Sequence, residues 1–320
     1  MTLSNDILFQ NLQNLINSNN NFEIKKNLIS NTKLLPQEFH VKISKLNISI
    51  IRSHENQDDL RVKHFLFFLK NSLIFSNLNN LDCEFIVNTS EGIENEKLEV
   101  KRFSYVAKEG LDHILIPDCH NFITHEKISS LDSLDIPFGE KQNSAIFIGS
   151  DTGNLKNGYS LRSFFCDENR NEKNIFSKLI GNPRSEIKDS IENFKEIQSE
   201  PLSIKDQLKY KVVISIDGNS TSWERPLWAM ASNSLCIKVE PFSEYRYKSW
   251  HDSMVSFLPV VPCVSAVNFK HFMSNNFEDD FWKNLKINQK IISLFISDLR
   301  NQYLYLSSLL NEYNKQYNSI

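Results

Sequence analysis

The 320-residue chain holds only eight glycines and five alanines, and no apolar run near the ~20 residues that a membrane-crossing helix requires. The densest apolar stretch is residues 64–69, HFLFFL. The first residues, MTLSNDILFQ, lack the basic start and continuous apolar core of a secretory signal. Five cysteines (Cys83, Cys119, Cys166, Cys236, Cys263) stand singly with no C-x-x-C pair, which argues for reduced, mostly buried thiols rather than a disulfide framework. A basic excess is also missing: 36 Lys+Arg against 39 Asp+Glu give a net charge of −3, so no nucleic-acid partner is expected. These absences predict a cytoplasmic protein without a transmembrane segment. Its Lys- and aromatic-rich helices are compatible with peripheral association at the inner face of the cytoplasmic membrane.

Several chemical signatures are absent too. No D-x-D triplet, G-x-S-x-G elbow, P-loop or G-x-G-x-x-G fingerprint occurs. His113, His120 and His125 with Asp112 and Asp118 have the residue types of metal ligands, but their spacing fits no zinc pattern, and no metal is expected. The 37 asparagines carry no functional weight.

What is present suffices for ordinary cores: 40% hydrophobic and 11% aromatic residues, over a length that suits about two domains. Residues 38–51 alternate with period two and predict a strand or hairpin, and residues 58–75 carry a helical apolar period behind two aspartates. Residues 83–88 (CEFIVN) and 113–117 (HILIP) are short strand candidates. The Asn-rich residues 17–21 read as a loop, and residues 129–141 as a break. Beyond it, strand 144–148 (SAIFI) runs into Gly149-Ser150-Asp151-Thr152-Gly153. Helices are predicted at 175–180 and 185–194. Strand 211–216 (KVVISI) then runs into Asp217-Gly218-Asn219-Ser220-Thr221-Ser222. A helix at 225–232, a strand at 234–239 and helical periodicity over 284–317 complete the chain. The alternation predicts an α/β protein whose second half is a parallel sheet covered on both faces, with ligands at the carboxyl ends of strands.

Three loops therefore qualify. After 144–148, two glycines with hydroxyl and carboxylate side chains can form an anion-facing turn, to which Arg162 adds donors; an ordinary strand-ending turn fits the local pattern as well. After 211–216, Arg225 opens a helix, where its charge is misplaced against the helix dipole. Either an anion such as a diphosphate answers it, or Glu224 does. After 83–88, Glu91 sits in a turn where a carboxylate can act as general base, although most loop glutamates are merely solvated. Trp223, Trp228 and Trp250 fit a sugar site or a core equally.

The strings QNSAIFIGSDTG, LKYKVVISIDGNSTSWERPLWAMASNSLCIKVE and FLPVVPCVSAVNF come in the order and spacing of glycosyltransferase family 90. Over residues 81–313 the chain resembles that family, which includes capsule-associated xylosyltransferase-like proteins and protein O-glucosyltransferases. CEFIVNTSE is similar to the family's V-x-N-x-x-D, and residues 114–117 to its D-I-x-x-P. The resemblance implies a GT-B architecture: two Rossmann-like domains facing an interdomain cleft. Residues 1–138 would form the acceptor side and 139–298 the nucleotide-sugar domain, with a C-terminal helix 299–320 packing back toward the first. It implies inverting, metal-independent, cofactor-free transfer from a UDP-sugar, of the UDP-glucose or UDP-xylose class. The acceptor would be a glycan hydroxyl, free or lipid-linked, in bacterial capsule or lipopolysaccharide synthesis.

By the same resemblance Glu91 takes the place of the family's Asp base, Arg225 that of its diphosphate-binding Arg, and Gly149, Ser150 and Arg162 its nucleotide-side turn. Asp151, Thr152, Asp217, Gly218, Asn219, Ser222 and Trp223 complete the expected donor site. The chain departs from the family with Glu at 91, with Ser256 where a His is usual, and with the reversed order Asp112-His113. Two other readings stay open: a catalytically inactive nucleotide- or glycan-binding protein of the same fold, and a GT-B enzyme using another nucleotide sugar.

Overall fold

Two five-stranded sheets, one in each of two units, organise the chain in a computed structural model. The structure describes residues 4–19, 24, 26–35, 37–45, 47–53, 59–90, 100–111, 113–118, 121–181, 184, 191, 194–256 and 260–319. One unit comprises residues 4–122, 247–257 and 295–320; the other is built from 123–246 and 258–294, with residues 1–3.

The first unit opens with helices α1 (Asn5–Asn19) and α2 (Lys26–Asn31). α1 buries Leu8, Leu12, Leu15 and Ile16, the spacing of one helical face. It runs through Asn17 and Asn19, which the sequence reads as loop. Amide pairs one turn apart, Gln10 to Asn14 at 3.2 Å and Gln13 to Asn17 at 3.1 Å, help offset the weak helix preference of Asn.

β1 (Glu38–Ser44) and β2 (Asn47–Ser53) form an antiparallel hairpin, with Lys45 at φ 58° in its turn. β3 (Asp82–Asn88) runs antiparallel to β1, and the short strands β4 (Phe103–Ser104) and β6 (Ile114–Leu115) continue it in parallel, in the order β2-β1-β3-β4-β6. Between them β5 (Val106–Lys108) pairs with the strand Tyr247–Ser249. The sheet is thus mixed rather than wholly parallel.

Helix α3 (Asp59–Phe75) covers this unit together with the helix Leu299–Ser319, which packs on α3 and β3. Tyr313 donates to the Glu84 carbonyl (2.9 Å) and Tyr305 to the Leu115 carbonyl (2.8 Å). Burial pushes the Tyr313 hydroxyl far above its usual range, so it stays a donor at every working pH. Under the sheet a buried ion pair joins Glu38 to Arg102 (2.9 Å); Glu38 also accepts from the Leu35 N–H (2.8 Å) and the Asn88 amide (3.2 Å).

The second unit is an all-parallel sheet. α4 (Asn121–Leu134) leads into it and extends helix through residues that the sequence reads as a break; the interruption comes at Asp135. There Asp135 pairs with the buried Lys141, whose ammonium burial holds below its usual pKa. β7 (Gln142–Ser150), β8 (Ile175–Ile180), β9 (Tyr210–Ser215), β10 (Leu235–Val239) and a short strand Cys263–Val264 pair in parallel.

β8 corrects the helix expected at 175–180. Ile175, Phe176, Leu179 and Ile180 match a helical stripe as well as a strand, and register with Ala145–Ser150 of β7 decides for the strand. The helix expected at 185–194 falls almost wholly outside the described residues; Phe194–Ile197 is one 3-10 turn.

Ala145, Ile146 and Phe147 of β7 and Val212, Val213 and Ile214 of β9 are fully enclosed. Each larger side chain contributes about 1.5–3 kcal/mol by burial. Cys83, Cys166 and Cys236 are free and buried, and burial pushes the Cys83 and Cys236 thiols up to about 12, which leaves them inert. Among the described residues no helix is long and apolar enough to cross a membrane.

Candidate functional site

Counted within the second unit, the strand order is 2-1-3-4-5: β7 lies between β8 and β9, and the chain goes from it first to β8 on one side and then to β9 on the other. In such sheets the switch point, here the carboxyl ends of β7 and β9, is where chain leaves both strands in opposite directions and opens a crevice. The two loops that the sequence singles out emerge there side by side.

β7 ends at Ser150, and the chain turns through Asp151, Thr152 and Gly153 before helix α5 (Leu161–Glu168). The start of α5 closes on itself. Ser160 and Ser163 form a reciprocal capping box, and the Ser160 hydroxyl donates to Asp151 Oδ1 at 2.6 Å. The capping box satisfies the Ser160 and Ser163 N–H groups, and the positive charge at the site comes from arginine side chains.

The second loop rests on the first. Gly153, at φ 114°, lies so near Gly218 that a Cβ there would meet the Gly218 carbonyl oxygen at 2.8 Å. A Cβ on Gly218 would meet Thr152 Oγ1 at 2.6 Å. Asn219 Oδ1 accepts the Gly153 N–H (3.0 Å). Asp217 shapes its own loop by accepting the Ser222 N–H (2.9 Å), and it pairs with Lys238 of β10 (3.1 Å). Trp223 donates to Ser220 Oγ (3.3 Å).

Three arginines donate to carbonyls at the ends of β7 and β9 and in the turn after β7. Arg162 donates to the Ser150 carbonyl (2.9 Å) and, through Nε and Nη2, to the Ile216 carbonyl (3.3 and 3.1 Å). Arg225 donates to the Ile148 carbonyl and to Gln207 Oε1 (2.8 Å). Arg184 donates to the Gly153 carbonyl (2.7 Å), and its Nε is buried without a hydrogen-bond partner among the described residues. The Phe147 ring lies 5.9 Å from the Arg162 guanidinium carbon and 5.4 Å from that of Arg225, which also faces Trp228 at 5.7 Å.

Neither Arg162 nor Arg225 forms an ion pair among the described residues. Glu224, the local answer to Arg225 that the sequence allows, is bound instead by Lys127 of α4 at 2.6 Å. Burial, reinforced by the charge of Arg162, holds the Arg225 guanidinium down to about 10. Burial also lowers Arg162, against the opposing pull of Asp217 and Asp151. A half-buried pair of like charges with no carboxylate on Arg225 is stabilised by an anion entering beside it.

The structure therefore brings together Gly149, Ser150, Asp151, Thr152, Arg162, Asp217, Gly218, Asn219, Ser222, Trp223 and Arg225 at one end of one sheet. Glu91 lies outside the described residues. Trp228 is buried against Arg225, and Trp250 is buried in the other unit against Tyr305 (5.4 Å), so both serve cores. Sequence reasoning misses Arg184, Gln207 and Lys238. Arg184 sits in the short link Gly181-Asn182-Pro183-Arg184 between two expected helices, Gln207 in a one-turn helix, and Lys238 inside a strand. Among the described residues no three His, Cys, Asp or Glu side chains gather as metal ligands.

No family model matches the chain. An O-glucosyltransferase LpsA from Dichelobacter nodosus is 39% identical to it over 56 residues. That stretch is 18% of this chain and 16% of that protein, so the likeness is to a short part of a glycosyltransferase.

Proposed function

We propose that the protein is an inverting glycosyltransferase of the family 90 type, which moves a sugar from UDP-glucose or UDP-xylose to a glycan hydroxyl in bacterial surface polysaccharide or lipopolysaccharide synthesis. The observation that carries this reading is the pair Arg162 and Arg225 at the β7/β9 switch point, half-buried and without ion-pair partners among the described residues. A nucleoside diphosphate supplies the missing negative charge. The partial identity with an O-glucosyltransferase supports the same class of chemistry.

In the proposed reaction the acceptor hydroxyl gives its proton to Glu91. Its oxygen bonds to the anomeric carbon while the bond from that carbon to the diphosphate breaks, and UDP leaves with the electron pair. Arg225 and Arg162 face the charge that grows on the departing diphosphate. They are held by Ile148, Ser150, Ile216 and Gln207 before substrate arrives, so little reorganisation accompanies the step. The proposal keeps the GT-B architecture and the division at residues 1–138, 139–298 and 299–320, and it uses neither metal nor cofactor.

The test is calorimetric titration with UDP, GDP and CMP, followed by UDP release from UDP-glucose and UDP-xylose with EDTA present. Binding of UDP in preference to the others, with turnover that survives EDTA, is the expected result. Absence of binding by every nucleotide sinks the reading. Glu91→Gln is expected to bind UDP normally and to lose transfer; retained turnover places the base elsewhere.

A further inference from the structure

We propose that the outward face of α3 docks the protein on an anionic lipid surface, an inference independent of the chemistry at the β7/β9 switch point. α3 buries Val62, Phe65, Phe68, Leu69 and Leu73 against its unit. Opposite them, residues 60, 63, 67, 70 and 74 follow one another in steps of three and four and so share one face. Three of these are large and apolar, and all are open: Leu60 is 60% exposed, Phe67 58% and Ile74 58%. Lys63 and Lys70 fill the positions between them, and both are exposed. The band is about 21 Å long at the helical rise. Phe67 leans on Phe122 (5.5 Å) and Phe75 on Tyr303 (6.0 Å), which widens it.

Isolated exposed apolar residues are ordinary. Three in register, alternating with lysines, are a pattern with a charge preference. No Asp or Glu occurs from residue 60 through residue 81, and neither Lys63 nor Lys70 forms an ion pair among the described residues. The occupant that fits is the boundary of an anionic membrane. Leu60, Phe67 and Ile74 enter the acyl region there, while the lysine stems lie along it and carry their ammonium groups to the phosphates. A second helix fits poorly. It would cover the 60/67/74 row at one heptad position and bury Lys63 and Lys70 at the other, stripping two ammoniums of water with no carboxylate to meet them.

The test is co-sedimentation of the full chain with vesicles of phosphatidylcholine alone and of phosphatidylcholine with about a third phosphatidylglycerol. Binding to the anionic vesicles only is expected, and added salt should weaken it. Lys63→Gln with Lys70→Gln should weaken it on the order of 20-fold, from the typical attraction of two lysines to such a surface. Leu60→Ser, Phe67→Ser and Ile74→Ser combined should abolish it with the melting temperature unchanged; should that triple variant unfold, Phe67→Ser alone serves. Failure of the wild-type chain to bind anionic vesicles, or equal binding by the variants, overturns the proposal. So does a wild-type dimer that the triple variant dissolves when no vesicle binding is seen, since the face is then a protein interface.

Discussion

Gly153 and Gly218 touch backbone to backbone: a single methyl group on Gly153 would stand 2.8 Å from the Gly218 carbonyl oxygen. The contact fixes the spacing of the two loops that lead from β7 and β9 to the helices bearing Arg162 and Arg225. Gly153→Ala also meets a φ of 114°, which L residues avoid at a cost of about 1–3 kcal/mol. We expect its melting temperature to fall by roughly 3–10 °C and its UDP affinity to drop, read by calorimetry and titration. Gly149→Ala is the control. Its Cβ meets no backbone atom, only the Phe147 ring at 3.2 Å and Arg162 Nη1 at 3.8 Å, an ordinary contact, and the substitution should be tolerated far better.

Arg225 is a cost to the free protein. Its guanidinium is held down to about 10, well below the usual arginine range of the unfolded chain, so the unfolded state binds the proton more tightly. Below pH ~10 both states are charged and the folded state bears the whole penalty; stability is regained only as pH rises above about 10 towards the usual arginine range. At neutral pH, Arg225→Met should therefore raise the melting temperature of the free protein by about 2–6 °C, after allowance for the solvent that reaches this half-buried group. The same variant should lose UDP binding and the stabilisation that UDP confers. A fall in melting temperature without nucleotide would refute the account.

Arg184 should matter to the same ligand. It donates to the Gly153 carbonyl in the turn after β7, and its buried Nε is unmatched among the described residues. Arg184→Ala is expected to weaken UDP binding about 5- to 20-fold, the typical value of one charge-assisted contact. Unchanged affinity in a titration places Arg184 outside the site.

The buried pair Glu38–Arg102 is a test of stability away from any ligand. Arg102→Leu strands a carboxylate that is fully enclosed, and we expect a loss of about 3–5 kcal/mol in denaturant unfolding. Glu38→Leu added to Arg102→Leu should recover part of it, because the uncompensated charge is then gone. A double variant no more stable than Arg102→Leu would show that the pair is held by shape rather than charge.

Gln289 offers a second such test. From the helix Asp280–Ser297 it accepts the Cys236 N–H and donates to the carbonyls of Cys236 and Val260, all at 2.8 Å and wholly buried. Gln289→Leu leaves three backbone groups without partners and should cost about 2–4 kcal/mol in the same measurement.

Much of this was written in the sequence because the relevant physics is local. A run such as Lys211–Ile216 is buried on both faces whatever surrounds it, and α3 declares itself by period. The two loops after β7 and β9 were legible for the same reason: glycine and hydroxyl-rich turns end strands. Residues 175–180 were not legible, since their apolar spacing satisfies helix and strand alike and only pairing with β7 chooses. Nor was the partner of Glu224, which is Lys127, 97 positions away in the chain.

By itself, then, the sequence determined the α/β class, the place of most strands and the residues that could meet an anion, although β7 runs on through Gly149 and Ser150, which the sequence places in the loop. Only the tertiary structure decided that Arg225 is not neutralised by its neighbour, that Arg184 meets the turn after β7, and that β1 runs antiparallel to β3. Hydrophobic period and turn chemistry act over a few residues and are carried by any segment alone. Charge compensation and strand order depend on which distant residues the folded chain sets side by side.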